Sequence, residues 1–91
     1  MRGNMTGKLV FSKAGHDRNR AYIVVDEDNE RVWLADGVDR GILNPKKKNR
    51  KHVQPAGCVF SEKDLASFRE KPAWGNEMIR EQCSKYVRKE A

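Results

Sequence analysis

The segment Ala21-Tyr22-Ile23-Val24-Val25-Asp26 constrains this chain more than any other. It is almost entirely β-branched or aromatic and is bounded on both sides by polar residues, the pattern of a β-strand. Its apolar residues are continuous instead of alternating, so both faces of the strand call for cover. Glu27-Asp28-Asn29-Glu30 then reads as a turn, and Arg31-Val32-Trp33-Leu34-Ala35 returns as the partner strand of a hairpin that Asp36-Gly37 closes.

The flanking text repeats the theme. Lys8-Leu9-Val10-Phe11-Ser12 is a short strand run followed by the polar loop Lys13 to Arg20, where Gly15 and Asn19 suit positive φ. Arg40-Gly41-Ile42-Leu43 reads as a fourth strand, ended by Pro45, and His52-Val53-Gln54 as a fifth. Five short strands within about 50 residues, joined by tight polar loops, predict a small, strongly curved barrel rather than an open sheet. Its expected core is Leu9, Phe11, Tyr22, Val24, Val32, Leu34, Ile42 and Val53, a set that depends on register because a one-residue slip exchanges the faces.

Pro55-Ala56-Gly57 breaks the β pattern, and the texture changes to helical. Ser61 is placed as an N-cap before Leu65 and Phe68, which are three residues apart, and Lys71-Pro72 ends that helix. Asn76 is placed to cap a final helix with an apolar stripe of Met78/Ile79, Gln82/Cys83 and Tyr86/Val87, and with Arg80, Glu81, Lys85, Arg88 and Lys89 outside it. Trp74, between Ala73 and Gly75 near Pro72, reads as a pin that holds the C-terminal helices back onto the barrel. The expected organisation is a flexible leader over 1–6, the barrel over 7–55 and a helical extension packed on it over 56–91. Charged residues make up 35% of the chain, yet the apolar residues are clustered and periodic, which points to a folded core with a heavily solvated shell.

Charge gives the functional signal. Lys46, Lys47, Lys48, Arg50 and Lys51 put five cations and no acid into six residues, while the whole chain carries a net +6; the remainder therefore sums to +1. Charge concentrated in this way suits an anionic partner, and lysine and arginine in a short strip suit phosphate. The loop before the first long strand adds Lys13, His16, Arg18 and Arg20 against the single acid Asp17, and His52 closes the strip. Trp33, Tyr22, Phe11 and Phe60 are the aromatics available for stacking on unpaired bases, although strand aromatics more often pack in cores. Asp26, Glu27, Asp28 and Glu30 read as a solvated acidic turn.

Other classes lack support. There is no nucleophile with an adjacent base, no phosphate-cradling glycine loop and no carboxylate pair on an evident common face, so no enzyme is expected. His16, His52, Cys58 and Cys83 lack metal-ligand spacing, and no metal or cofactor is expected. No apolar run approaches the roughly 18 residues of a membrane span. The first residues lack the apolar centre of an export signal, so the expected setting is the cytoplasm, with both cysteines as free thiols.

The run Gly7-Lys8-Leu9-Val10-Phe11-Ser12-Lys13-Ala14-Gly15-His16-Asp17-Arg18 leading into Ala21-Tyr22-Ile23-Val24-Val25 resembles a KOW motif. Ala35-Asp36-Gly37 and Pro45-Lys46-Lys47-Lys48-Asn49-Arg50-Lys51-His52-Val53-Gln54-Pro55 extend the match. Over about Gly7 to Pro55 the chain is similar to the small bacterial KOW-domain RNA-binding proteins, themselves similar to archaeal and eukaryotic large-subunit ribosomal proteins. Asn19 stands where many members carry glycine, and His16 where a basic residue is common.

The resemblance implies an SH3-like β-barrel, here with a short C-terminal helical extension, that binds ribosomal or other structured RNA without catalysis. The expected RNA contacts are Lys46, Lys47, Lys48, Arg50, Lys51 and His52, with Lys13, His16, Arg18 and Arg20. The protein is expected to be a monomer, ribosome-associated or otherwise related to translation, with ribosomal proteins as further partners. The rival expectation is a protein-interaction module that docks on a transcription or translation factor through the barrel or the final helix, with the strip only steering encounter.

Overall fold

The computed structural model describes residues 5–86. Met1 to Asn4 of the expected leader, and Val87, Arg88 and Lys89 of the expected final helix, lie outside the described residues. Met5 and Thr6, also assigned to the leader, are instead tied down. Both backbone N–H groups and the Thr6 hydroxyl donate to Glu27 Oε2 at 2.8–3.1 Å, and Met5 is buried.

The fold is mainly β, with one antiparallel five-stranded sheet and two helices. The strands are β1 (Lys8–Ser12), β2 (Ala21–Glu27), β3 (Arg31–Ala35), β4 (Lys46–Asn49) and β5 (Val53–Cys58), in the spatial order β4-β3-β2-β1-β5. A 3-10 turn, Arg50–His52, joins β4 to β5. The expected barrel closure is absent: β4 and β5 are the two edges of the sheet, and no ladder pairs them. The sheet nevertheless curls. In a flat sheet β4 would stand three strand spacings, about 14 Å, from β1, beyond the reach of one lysine, yet Lys48 Nζ donates to Ser12 Oγ at 2.8 Å.

Each face of the sheet carries its own core, as the continuous apolar run of β2 requires. On the inner face Val10, Tyr22, Val24, Val32, Leu34 and Val53 pack together with Met5. On the other, Leu9, Ala21, Ile23, Val25 and Ala35 pack with Ile42, Phe60 and the helices. This corrects the expected core in three places. Leu9 and Phe11 belong to the helix-facing side and Val10 takes the inner position, because Val10 pairs with Tyr22 and Leu9 with Ile23. Ile42 also joins the helix-facing cluster.

Two bulges shape the curl. The β2–β3 register shifts between Val24 and Asp26, and the β1–β5 register between Leu9 and Val10, where Gly57 and Pro55 are the successive partners. Pro55 and Gly57 thus lie within a strand after all, on the edge where a missing ladder donor is tolerated. The Val25 carbonyl, at the first bulge, accepts a hydrogen bond from Arg69 Nη2 in the first helix.

That helix, α1 (Glu62–Glu70), starts as expected at Ser61. The Ser61 hydroxyl accepts from the Asp64 N–H, and the Asp64 carboxylate accepts from the Ser61 N–H, a reciprocal cap. The second, α2 (Pro72–Lys85), begins four residues before the expected cap, with Pro72 in the first-turn position where a missing N–H costs nothing. Asn76 is therefore inside the helix. Its Oδ1 accepts from the Ile42 N–H at 2.7 Å, which is why the expected strand at Arg40–Leu43 does not form: the connection from β3 to β4 turns against α2 instead of pairing.

Phe68 meets Phe60 and Trp74 edge to face, with centroids 4.9 and 5.1 Å apart, so Trp74 pins α2 to α1. The helices touch through Gly75, where an added Cβ would lie 2.5 Å from Phe68 Cβ and 2.8 Å from the Phe68 backbone. Alanine gains roughly 1 kcal/mol over glycine in a helix, while overpacking costs about 1–3 kcal/mol. Gly75→Ala is expected to lower the melting temperature by about 4–8 °C, equivalent to a net loss near 1 kcal/mol, as read by thermal unfolding.

Candidate nucleic-acid interface

The basic strip is not a loop between strands: its first half is a strand. Antiparallel pairing with β3 places Lys46 opposite Leu34 and Lys48 opposite Val32, on the face of the inner core, and Lys47 opposite Trp33 on the other. Alternation along β4 therefore divides the lysines into two sets with different fates.

Lys46 and Lys48 turn inward to Asp17. Lys46 Nζ bonds Oδ2 and Lys48 Nζ bonds Oδ1, each at 2.7 Å. Lys48 also donates to Ser12 Oγ and the Ala14 carbonyl, and Tyr22 and Ser12 donate their hydroxyls to the same carboxylate at 3.0 and 2.9 Å. The Asp17 side chain is 7% exposed and that of Lys48 10%. Burial alone would raise the Asp17 pKa, but the bonds from Lys46, Lys48, Ser12 and Tyr22 outweigh it and hold the carboxyl well below the usual range. Burial and the Asp17 carboxylate push the Tyr22 phenol upward. These five side chains form one hydrogen-bonded network that ties β4 to β1, β2 and the 13–20 loop.

Arg50 is drawn to Glu27, whose side chain is 9% exposed. Its Nη2 bonds Glu27 Oε1 at 2.7 Å and also donates to the Asp28 carbonyl. This corrects the expected solvated acidic turn at Glu27, whose carboxylate is bonded to Arg50, Met5 and Thr6. Burial pushes its pKa up, and the bonds from Arg50, Met5 and Thr6 more than reverse this. In the other basic loop, Arg20 spans Asp36 at 2.7 Å and Asp39 at 3.2 Å and lies 5.7 Å from the Tyr22 ring centroid. Asp36, itself buried, accepts from the Val38 and Arg40 N–H groups.

Of the ten expected contacts, Lys46, Lys48, Arg50 and Arg20 hold the protein together. Lys13, His16, Arg18, Lys47, Lys51 and His52 are exposed. The backbone unites several of these: the Lys13 N–H donates to the His52 carbonyl at 2.8 Å, so the strip's end and the loop's start form one rim. The loop itself rests on Gly15 at φ 83° and Asn19 at φ 72°, so asparagine does serve in the left-handed position. Lys47 also lines an open depression of about 340 Å³ along β4, together with Glu30, Arg31, Lys48 and Asn49. Trp33 is half-buried and packs against the helix-facing core.

The sequence reading missed Asp17 and Glu27 as organisers. The available signal was isolation, one acid among the four basic residues of its loop. No protein-family model matches the chain, and no curated protein is significantly similar to it. Among the described residues no helix is long and apolar enough to cross a membrane.

Both cysteines are free; Cys58 is exposed and Cys83 buried. Burial and the nearby Asp36 charge push the Cys83 thiol up to about 12. A thiol-reactive dye at pH 8 should therefore label one cysteine in the native protein and the second only on unfolding.

Proposed function

We propose that this chain binds structured RNA through a basic surface made of Lys13, Arg18 and Lys51 on the rim and Lys47 on the edge strand β4, with His16 and His52 alongside. The observation that carries the reading is the separation of the cations. Asp17 and Glu27 hold Lys46, Lys48 and Arg50, and their neighbours are left exposed without an ion-pair partner among the described residues. The paired residues fix the backbone that carries the exposed cations, which remain available to phosphate, and recognition rests on backbone and shape more than on base identity.

In this reading the curled sheet is an SH3-like barrel of the KOW type, the RNA is ribosomal or similarly structured, and the protein works in the cytoplasm without catalysis. Lys46, Lys48, Arg50 and Arg20 position the rim and do not themselves contact RNA. A sucrose-gradient profile tests it: the intact chain should co-migrate with ribosomes at low salt and leave them at high salt.

The interaction-module reading draws on the exposed apolar side chains: Trp74 and Tyr86 on the helical side, and Val38 and Leu43 in the β3–β4 connection. Apolar contact survives salt, so co-migration that persists at high salt favours it over the RNA reading.

A further inference from the structure

A cleft beside the rim lies outside the strip. It opens between the end of β1, the 13–20 loop and β5, has a volume of about 240 Å³, and is lined by Phe11, Lys13, Arg18, Asn19 and Gln54 together with Ser12. Gln54 is the cross-strand partner of Phe11, which puts an exposed amide beside a half-buried aromatic ring. Asn19 is fixed at the opposite wall by its φ of 72° and by its N–H bond to the Ser12 carbonyl. Lys13 belongs both to this cleft and to the basic rim, through its bond to His52.

Each wall suits a different part of one ligand. An aromatic side chain takes the face of a base, an amide carries both donor and acceptor for a base edge, and two neighbouring cations take a phosphate. The volume is below the roughly 300 Å³ at which drug-sized sites begin, so there is room for one ring system. A paired base within a duplex cannot enter, because its faces are covered by its neighbours. Resting on the RNA reading above, we propose that this cleft receives a single unpaired nucleotide bulged from a structured RNA. Its base lies against Phe11, its edge meets the Gln54 amide, and its phosphate sits between Lys13 and Arg18. Base identity is then sensed only at this point, while the rim reads backbone.

The test uses the full chain and three RNA hairpins: fully paired, with one bulged nucleotide, and with the same bulge made abasic. The bulged hairpin should bind about tenfold tighter than either of the others, the effect of one base–aromatic stack. Gln54→Ala and Phe11→Leu should each shrink that ratio towards one while leaving affinity for the paired hairpin in place. Phe11 also touches the helix-facing core; if Phe11→Leu does not fold, Gln54→Ala decides the matter, since its side chain is exposed on an edge strand. Equal binding of the bulged and abasic hairpins overturns the nucleotide cleft and leaves the RNA reading standing. Failure of all three to bind at low salt removes both.

Discussion

Asp17→Ala is expected to lower folding stability by about 3–5 kcal/mol, the range for removing one partner of a buried ion pair. That is a large share of the roughly 5–15 kcal/mol that holds a domain of this size together. The loss comes less from the bonds themselves than from what they leave behind. Lys48, with a side chain only 10% exposed, would keep a buried charge with no carboxylate, and the Tyr22 hydroxyl would lose its acceptor. The inner core would also lose the tie between β4 and the end of β1. Urea denaturation of wild type and variant measures the difference.

The same carboxylate sets the acid limb of stability. Its native pKa is depressed below an unfolded value near 3.9, so as pH falls the unfolded chain takes up the proton first. The Asp17 contribution is fully present above the unfolded pKa and is lost as pH falls towards the native one. Glu27, depressed in the same direction, adds to the slope. Asp17→Asn should show a flatter acid limb than wild type in urea titrations between about pH 5 and pH 2.

The second large effect concerns RNA. Four phosphate contacts from Lys13, Arg18, Lys47 and Lys51 give a slope of log K against log salt of roughly −2.8 to −3.6. Raising salt from 50 to 200 mM should then weaken binding to structured RNA by about 50- to 150-fold, as read by fluorescence anisotropy. Counting the whole strip as contacts would give a steeper line, but three of its five cations already have protein partners. A buried carboxylate does not yield its lysine to phosphate without the destabilisation expected for Asp17→Ala.

Several local signals in the sequence held where the physics is local, although Asn76 lies inside α2 instead of capping it and Pro55-Ala56-Gly57 lies within β5. The continuous apolar run of β2 required cover on both faces and has it. Ser61 capped α1, and Gly15 and Asn19 took positive φ, because cap and turn chemistry depends on a few neighbouring atoms. What sequence alone misplaced was set at a distance. The face of β1 depends on its pairing with β2, and in Leu9-Val10-Phe11 every residue is apolar, so alternation could not choose. Arg40–Leu43 lost its strand to the hydrogen bond that the Ile42 N–H donates to Asn76 Oδ1, 34 residues away.

The strip shows the same limit. Its composition announced a surface for anions, and its alternation as a strand decided which cations reach that surface. Lys46 and Lys48 found Asp17 31 and 29 residues upstream in the order Lys48, Lys46, pairings that no spacing rule contains. Glu27 likewise looked like one of four acids in a turn, until Arg50 and the backbone of Met5 and Thr6 closed around it.

The most direct measurement compares two fourfold alanine variants that remove equal charge from the intact chain. One changes the rim residues Lys13, Arg18 and Lys51 and the β4 residue Lys47; the other changes Lys63, Lys71, Arg80 and Lys85, all exposed on or beside the helices. Affinity for structured RNA is followed across salt for both. The rim variant should lose most of the affinity and its salt slope should fall close to zero, while the helix variant keeps a slope near that of wild type. Equal slopes for the two variants would show that net charge, and not this basic surface, governs binding, and would contradict the account.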